Sequence, residues 1–391
     1  MSGRDLFCQP RRFGRGAALT LVFASVLVAG AATGALPGDG RRAASGEARE
    51  AREASAGHSE EVTRAAEEAA AVGKSPLEAA ERAVSRSGDR WAAVYSAGEY
   101  EEFEESLDGR YTGVGLWARR DTDGRIEVTK VRSGSPAAGA GIRAGDRLRS
   151  VDGHGVDGRP VTEVVSLLRG DAKDAAAGTT VTLGLQRGAR AWSETLRRAL
   201  LSTDSVTVRR VPGGATVIRI SAFTKGVGDA VRSAVRAAPA GAGIVLDLRG
   251  NSGGLVAEAT ATASVFLDGG LVATYDVDGD QRALHAAPGG DTGRPLVALV
   301  DGGTMSAAEL VTGALQDRGR AVVVGSRTFG KGSVQMPSEL PDGSVAELTV
   351  GHYRTPSGRA VDGKGITPDL EVTDGALERA ETVLSGLGDP S

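Results

Sequence analysis

Between Ala215 and Gly325 one rhythm repeats: an apolar run, a glycine-rich loop, then an alanine-rich stretch. GIVLDLR is followed by GNSGG and LVAEATATASVFL; PLVALV is followed by DGGTM and SAAELVTGALQD. The run RAVVVG then leads into SRTFGKGSVQ, and ATVIRIS with VGDAVRSAVRAA precedes them all. Strands that alternate with helices must run parallel, because each crossover needs a dozen or more residues. In an open sheet of this kind the site forms outside the carboxyl ends of the strands. Three loops leave those ends: Arg249 to Gly254, Asp301 to Ser306 and Ser326 to Lys331. Residues scattered in sequence, Gly253, Gly254, Ser306 and Lys331, are therefore expected to meet.

The rest of the chain divides by composition. Ala17 to Leu36 is a twenty-residue run without charge, preceded by Arg4, Arg11, Arg12 and Arg15. It reads as a signal peptide or an uncleaved anchor, which puts the remainder outside the cytoplasm. Residues 38–58 are a polar linker, and 59–110 read as a helical region with breaks at GKSP and Gly109. From Tyr111 the period changes to that of strands: TGVGLWARR, RIEVTKV and TVTLGLQR, with a helix around Val161 to Leu168. A small β-rich barrel with two helices fits 111–198. The α/β core runs over 199–374 and a tail over 375–391. The whole is a mixed α/β chain, 391 residues long and thus long enough for two or three cores.

Charge and composition exclude several classes. A net charge of −4 and 4% aromatic residues give neither attraction to nucleic acid nor a base-stacking platform. The single cysteine, Cys8, excludes disulfides, a zinc knuckle and a cysteine nucleophile in the folded domains. Forty arginines stand against six lysines. Each lysine deserves scrutiny, because lysine can give up its proton at accessible cost and arginine cannot.

Ser306 opens a helix, and SAAE forms a capping-box pattern with Glu309. One reading is a serine that only satisfies an orphan N–H. The other uses the same place: the field at a helix start favours an alkoxide. The Ala307 N–H then points where an oxyanion would form, each such donor contributing roughly 3 kcal/mol. A nucleophile needs a base. The histidines are His58, His154, His285 and His352; only His352 falls on a strand of the second half, and no Ser-His-Asp pattern is indicated. Lys331 is the better base if burial, with Phe329 and Val334 nearby, lowers its pKa to about 7–8, a cost of roughly 4 kcal/mol. Gln335 lies four residues on. That is about 13 Å along a strand but about 6 Å on a helical turn. To orient the amine, the segment must curl. The plain alternatives are a solvated lysine and a strand-edge amide.

GSRTFGKGSVQ also nearly spells a phosphate loop, with Asp247 as a magnesium partner. Gly332 stands where the magnesium-binding hydroxyl belongs, and Pro337 follows too soon for a long helix to face a phosphate. The nucleotide reading ranks below the lysine base.

GSPAAGAGIRAGDRLRSVDG, Gly134 to Gly153, resembles a PDZ domain. DLRGNSGG, DGGTMSAAELVTGALQDRGRAVVVG, GSRTFGKGSVQ and HYRTPSGRAVDGKGITPD resemble the C-terminal processing peptidases, the likeness running from about Asp89 to Val372. The resemblance implies a Clp protease/crotonase-like core. It implies a Ser-Lys dyad at Ser306 and Lys331, assisted by Gln335, with an oxyanion hole from the N–H groups of Ala307 and Gly253. Ser252 replaces a proline common in the family. It also implies capture of a substrate tail by the PDZ loop at Gly113, Val114, Gly115 and Leu116, the peptide adding as a strand to a sheet edge. The implied function is an extracytoplasmic serine endopeptidase that cuts proteins near their C-termini, free of metal and nucleotide, with a homodimer through the N-terminal helices open. The alternatives are an inactive PDZ adaptor and, behind it, the nucleotide-binding protein.

Overall fold

The computed structural model describes residues 60–121, 123–170, 176–277 and 280–387. The apolar N-terminal segment and the linker lie outside the described residues. Two compact units emerge: Thr112–Leu201, and the described residues up to Tyr111 together with those from Ser202 onward.

The larger unit is built on a six-stranded sheet in the order Val206–Arg210, Thr216–Ile220, Ile244–Asp247, Leu296–Val300, Val322–Gly325, Leu370–Glu371. Every pairing after the first is parallel. Parallel strands buried on both faces read as unbroken apolar runs, which is why IVLD and LVALV contain no surface residue. Alternate residues serve opposite faces. Ile218, Leu246, Ala298 and Val323 join the main core with helices Val227–Ala237, Val256–Phe266 and Ala307–Asp317. Val217, Val245, Leu299 and Val324 face the helix Ala376–Leu387.

That last helix lies within the tail region expected at 375–391. Leu377, Ala380 and Leu384 repeat at helical spacing and cover the sheet's second face. A second sheet is antiparallel. The strand Val345–Arg354 pairs with Ser333–Glu339, Leu271–Val277 and Ala93–Tyr95, and Asp280–His285 closes a hairpin. The region 59–110 is thus not all helix. Between Pro76–Ser87 and Ala97–Leu107 it contributes the strand Ala93–Tyr95. Tyr95, stacked on Phe103 at 5.4 Å, ties that strand to the following helix.

The smaller unit has the strand order Leu116–Arg120, Ile126–Val131, Arg147–Val151, Thr180–Arg187, Arg190–Arg197, with the helices Pro136–Gly139 and Val161–Arg169. Its core includes Ile126, Val128, Leu148, Val164, Leu183 and Leu185. TGVGLWARR is not one strand. The chain breaks at Val114 and Gly115, where Gly115 has φ +79° and a Cβ would lie 2.3 Å from that of Ser135. Here only glycine fits. Leu116–Arg120 is left as an edge strand of its sheet.

Candidate active site

The three loops expected at the carboxyl edge are tied to one another. Met305 N–H donates to Asn251 O (2.8 Å), Gly250 N–H to Asp301 Oδ1 (2.9 Å), Thr304 Oγ1 to Leu248 O (3.0 Å), and Phe329 N–H to Thr304 O (3.1 Å). Gly325 makes the close approach possible: with φ +133°, a Cβ there would fall 1.9 Å from Val300 O.

Ser306 is buried at the start of helix Ala307–Asp317. An ordinary N-cap residue is extended, but Ser306 sits at φ 53°, ψ −118°. It is one of two non-glycine residues with positive φ among those described. Such strain costs on the order of 1–3 kcal/mol and persists only where the surroundings impose it. They do so twice. Glu309 Oε2 accepts the N–H of Ser306 at 2.9 Å, the carboxylate half of a capping box, and Tyr353 OH donates to Ser306 O at 2.9 Å.

The same two groups hold Lys331. Its N–H donates to Glu309 Oε2 at 2.8 Å, and Tyr353 OH reaches its carbonyl at 3.2 Å. Glu309 Oε1 takes Thr328 Oγ1 (2.5 Å) and the Gly330 N–H (2.7 Å). Burial pushes the Glu309 carboxyl up, against the pull of these four bonds. Sequence reasoning saw Glu309 only as a cap; its role in joining two loops depends on the fold.

The Lys331 side chain is fully buried. Its Nζ lies 5.3 Å from the centre of the Trp91 ring and has no hydrogen-bond partner among the described residues. A bond from Nζ to Ser306 Oγ is thus not made in this structure; such bonds often tighten only when substrate binds. Burial lowers Lys331 to about 8, while the carboxylates of Glu347, Asp89 and Asp362 pull the other way. Phe329 is not the dry wall expected of it, being half exposed against Trp91. The wall at the amine is the ring of Trp91. Trp91 Nε1 donates to Asp362 Oδ1 (3.3 Å), which fixes the indole under the amine. Sequence reasoning passed over Trp91 and Asp89. Their one signal was a tryptophan, one of three in the chain, after a helix end.

Gln335 is brought to this pocket without the curl that spacing seemed to require. Lys331 precedes the strand Ser333–Glu339, and the register slips between Val334 and Gln335, where the partner strand bulges. A bulge re-aims side chains that a regular strand would send elsewhere. Gln335 Nε2 donates to Trp91 O, which leaves Oε1 buried without a partner among the described residues.

Gly253 stands against the serine: a Cβ would meet Ser306 Cβ at 3.0 Å and Ala307 N at 3.3 Å. Its N–H, expected to face an oxyanion, is instead engaged by Asn251 Oδ1 at 2.9 Å. The cause is local, an asparagine side chain bonding two residues ahead, with Asn251 Nδ2 anchored on Ile220 O. At the first helical turn the N–H groups of Ala308, Glu309 and Leu310 serve Met305 O and Ser306 O. Ala307 follows the serine on the side of Gly253.

His352 lies at the surface, 3.9 Å from Asp362. Asp247 is clasped by Arg249 at 2.8 Å and Arg219 at 3.2 Å; burial works against its charge, yet the Arg249 bonds hold it below the usual carboxylate range. Asp247 is thus committed to arginines, and Lys331 is followed by a strand rather than a helix. Both features remove the phosphate-loop geometry. Among the described residues no three His, Cys, Asp or Glu side chains could hold a metal ion.

In the smaller unit, Val114 O accepts from Ala137 N–H (3.0 Å) and Gly115 O from Arg132 N–H (2.8 Å). These bonds fix the loop of Gly113, Val114, Gly115 and Leu116 at the head of the edge strand.

Residues 214–372 match the model of peptidase family S41, and residues 127–187 that of a PDZ domain. A "Probable CtpA-like serine protease" of Staphylococcus epidermidis is 34% identical over 291 residues, 73% of this chain and 58% of that protein. Its namesake in Staphylococcus aureus is 35% identical over 294 residues, 73% of this chain and 57% of that one. The chain thus spans less than two thirds of these relatives. Among solved structures, the photosystem II D1 C-terminal processing protease is 29% identical with a TM-score of 0.50, over 79% of this chain and 86% of that one. A putative S41 protease of Bacteroides fragilis, 19% identical, shares the fold with a TM-score of 0.53, over 81% of this chain and 91% of that one. The chain belongs to peptidase family S41, among the C-terminal processing peptidases, and carries a PDZ domain ahead of its S41 domain.

Proposed function

We propose that the protein is a serine endopeptidase in which Ser306 is the nucleophile and Lys331 its general base. One observation carries this reading: a strained serine at a helix start and a fully buried lysine are held by a single carboxylate oxygen, Glu309 Oε2. Ser306 Oγ attacks the scissile carbonyl carbon and its proton passes to Lys331 Nζ. As the tetrahedral intermediate collapses, the Lys331 ammonium gives that proton to the leaving amine. Water, deprotonated by Lys331, then hydrolyses the acyl-enzyme. Gln335 Oε1 receives the lysine amine and aims it. The Ala307 N–H stabilises the oxyanion, and Gly253 adds its own N–H when Asn251 Oδ1 yields it.

The substrate is a protein tail. The edge strand Leu116–Arg120 can accept an extended peptide as a further strand, and the loop of Gly113, Val114, Gly115 and Leu116 takes its terminal carboxylate. The place of action is outside the cytoplasm, a reading supported by the arginine-flanked apolar segment Ala17 to Leu36. Among the described residues no helix is long and apolar enough to cross a membrane. The test is a soluble protein with an appended apolar C-terminal tail, incubated with wild type and with Ser306→Ala. Wild type alone should shorten it, as read by mass spectrometry; equal rates would end the enzyme reading.

A further inference from the structure

Three carboxylates act on the Lys331 amine: Asp89, Asp362 and Glu347. Two of them are already used. Asp89 accepts from the N–H groups of Trp91 (2.9 Å), Ala92 (3.2 Å) and Thr349 (3.1 Å) and from Thr349 Oγ1 (3.0 Å). Asp362 accepts from Arg90 Nη2 (3.1 Å), Trp91 Nε1 (3.3 Å) and Gly332 N–H (3.2 Å). Glu347 differs. Its side chain is fully buried, and neither oxygen meets a donor among the described residues. A buried carboxylate without donors is costly and calls for an explanation.

The sheet supplies one. Glu347 sits in mid-strand, opposite Ala93 on one side and Pro337 on the other. Gln335, two residues before Pro337, is opposite Thr349. Cross-strand partners share a face, so Glu347 and Gln335 are diagonal neighbours, about 7–8 Å apart at their backbones. Glu347, Gln335 Oε1 and Lys331 Nζ are thus three buried polar ends without hydrogen-bond partners among the described residues, linked through Trp91, whose ring lies 5.3 Å from Lys331 Nζ and whose carbonyl accepts from Gln335 Nε2.

We propose that Glu347 is the counter-charge that sets the protonation of Lys331, a positioning residue that acts on the base through the pocket and never touches substrate. This rests on the Ser306–Lys331 reading for its purpose, though not for its measurement. The groups that face the pair are few. Lys331 has Asp89 and Asp362 beside Glu347; Glu347 has Lys331, with Tyr95 and Tyr100 on the strand and helix packed against it. Burial raises Glu347 to about 7, and the Lys331 charge draws it back. The two groups titrate as a pair, not singly. The lysine loses its proton only against the pull of an ionised Glu347, and in return the free amine is the stronger base toward the Ser306 hydroxyl.

The test uses the full chain with lysine labelled with carbon-13 at Cε. Six lysines make a simple spectrum, and Lys331→Met identifies the signal. In Glu347→Gln, which keeps shape and removes charge, the Lys331 midpoint should fall by about one pH unit, a tenfold change in its acid constant. Glu347→Asp should keep it near the wild-type value. The acid limb of kcat/KM should move with the signal, while plateau kcat changes by less than about threefold. A Lys331 midpoint that is unchanged or raised in Glu347→Gln overturns the proposal. If wild type cleaves nothing, the peptidase reading fails, yet the lysine titration still decides what Glu347 does.

Discussion

Ser306 and Lys331 share one oxygen: the backbone N–H of each donates to Glu309 Oε2, at 2.9 and 2.8 Å. Their carbonyls converge on one hydroxyl, Tyr353 OH, at 2.9 and 3.2 Å. The proposed nucleophile and base are therefore set in register by backbone bonds, independently of their side chains.

Glu309→Gln follows from this. An amide cannot accept from four donors, so at least one buried N–H loses its partner. Stability should fall by about 2–4 kcal/mol. Activity should fall by about tenfold to a hundredfold at temperatures where the variant is folded, because a small displacement of base from nucleophile is costly. Denaturant unfolding and kcat, measured together, check both. Tyr353→Phe, which removes one hydroxyl, should show the same signs at smaller size.

Lys331→Met should stabilise the protein. The lysine is held at about 8 by burial, below its ordinary 10.5. The folded state therefore binds its proton more weakly than the unfolded state does. That penalty is full below pH 8 and fades as pH rises toward the unfolded value. At pH 7 it amounts to about 3 kcal/mol. Unfolding of wild type and Lys331→Met should thus differ by the full amount at and below neutral pH and converge above pH 10. Cleavage by the variant should be lost at every pH.

Gly253→Ala tests the wall beside the serine. The residue has φ +101°, and a Cβ would press on Ser306 Cβ at 3.0 Å and Met305 O at 3.2 Å. Strain of a non-glycine residue there costs on the order of 1–3 kcal/mol. Thermal unfolding should register that loss, and kcat should fall further than stability alone explains.

The parallel strands and the three convergent loops were legible because apolar runs and glycine-rich turns act locally. So were Ser306 and Lys331 as candidates, each carried by its own loop. What escaped was set by distant partners. The curl expected to carry Gln335 to the lysine was replaced by a bulge, whose extra residue lies on the opposite strand. Trp91 and Asp89 enter the pocket only because Ala93–Tyr95 pairs with Val345–Arg354. The engagement of Gly253 by Asn251 was in principle readable, since asparagine bonds its own backbone two residues on. The helix Ala376–Leu387 lies beyond the last strand of the sheet, and its apolar residues Leu377, Ala380 and Leu384 gain their meaning only from the sheet face they cover.

Gly115→Ala should separate capture from chemistry. A Cβ there would collide with Ser135, at 2.3 Å, in the loop assigned to the substrate tail. KM for a tailed protein should rise about tenfold or more, while hydrolysis of a small ester should keep its kcat. An equal loss on both substrates would remove the smaller unit from substrate capture.

The central claim is that Lys331 deprotonates Ser306, and a fluorophosphonate probe reads it directly. The probe should add one label per chain, mapped by mass spectrometry to Ser306. Its rate should rise with pH to a midpoint near the value of about 8 that burial gives Lys331. Lys331→Met should abolish labelling while the chain stays folded. A label on another residue, or one on Ser306 that forms equally fast in Lys331→Met, would contradict the account.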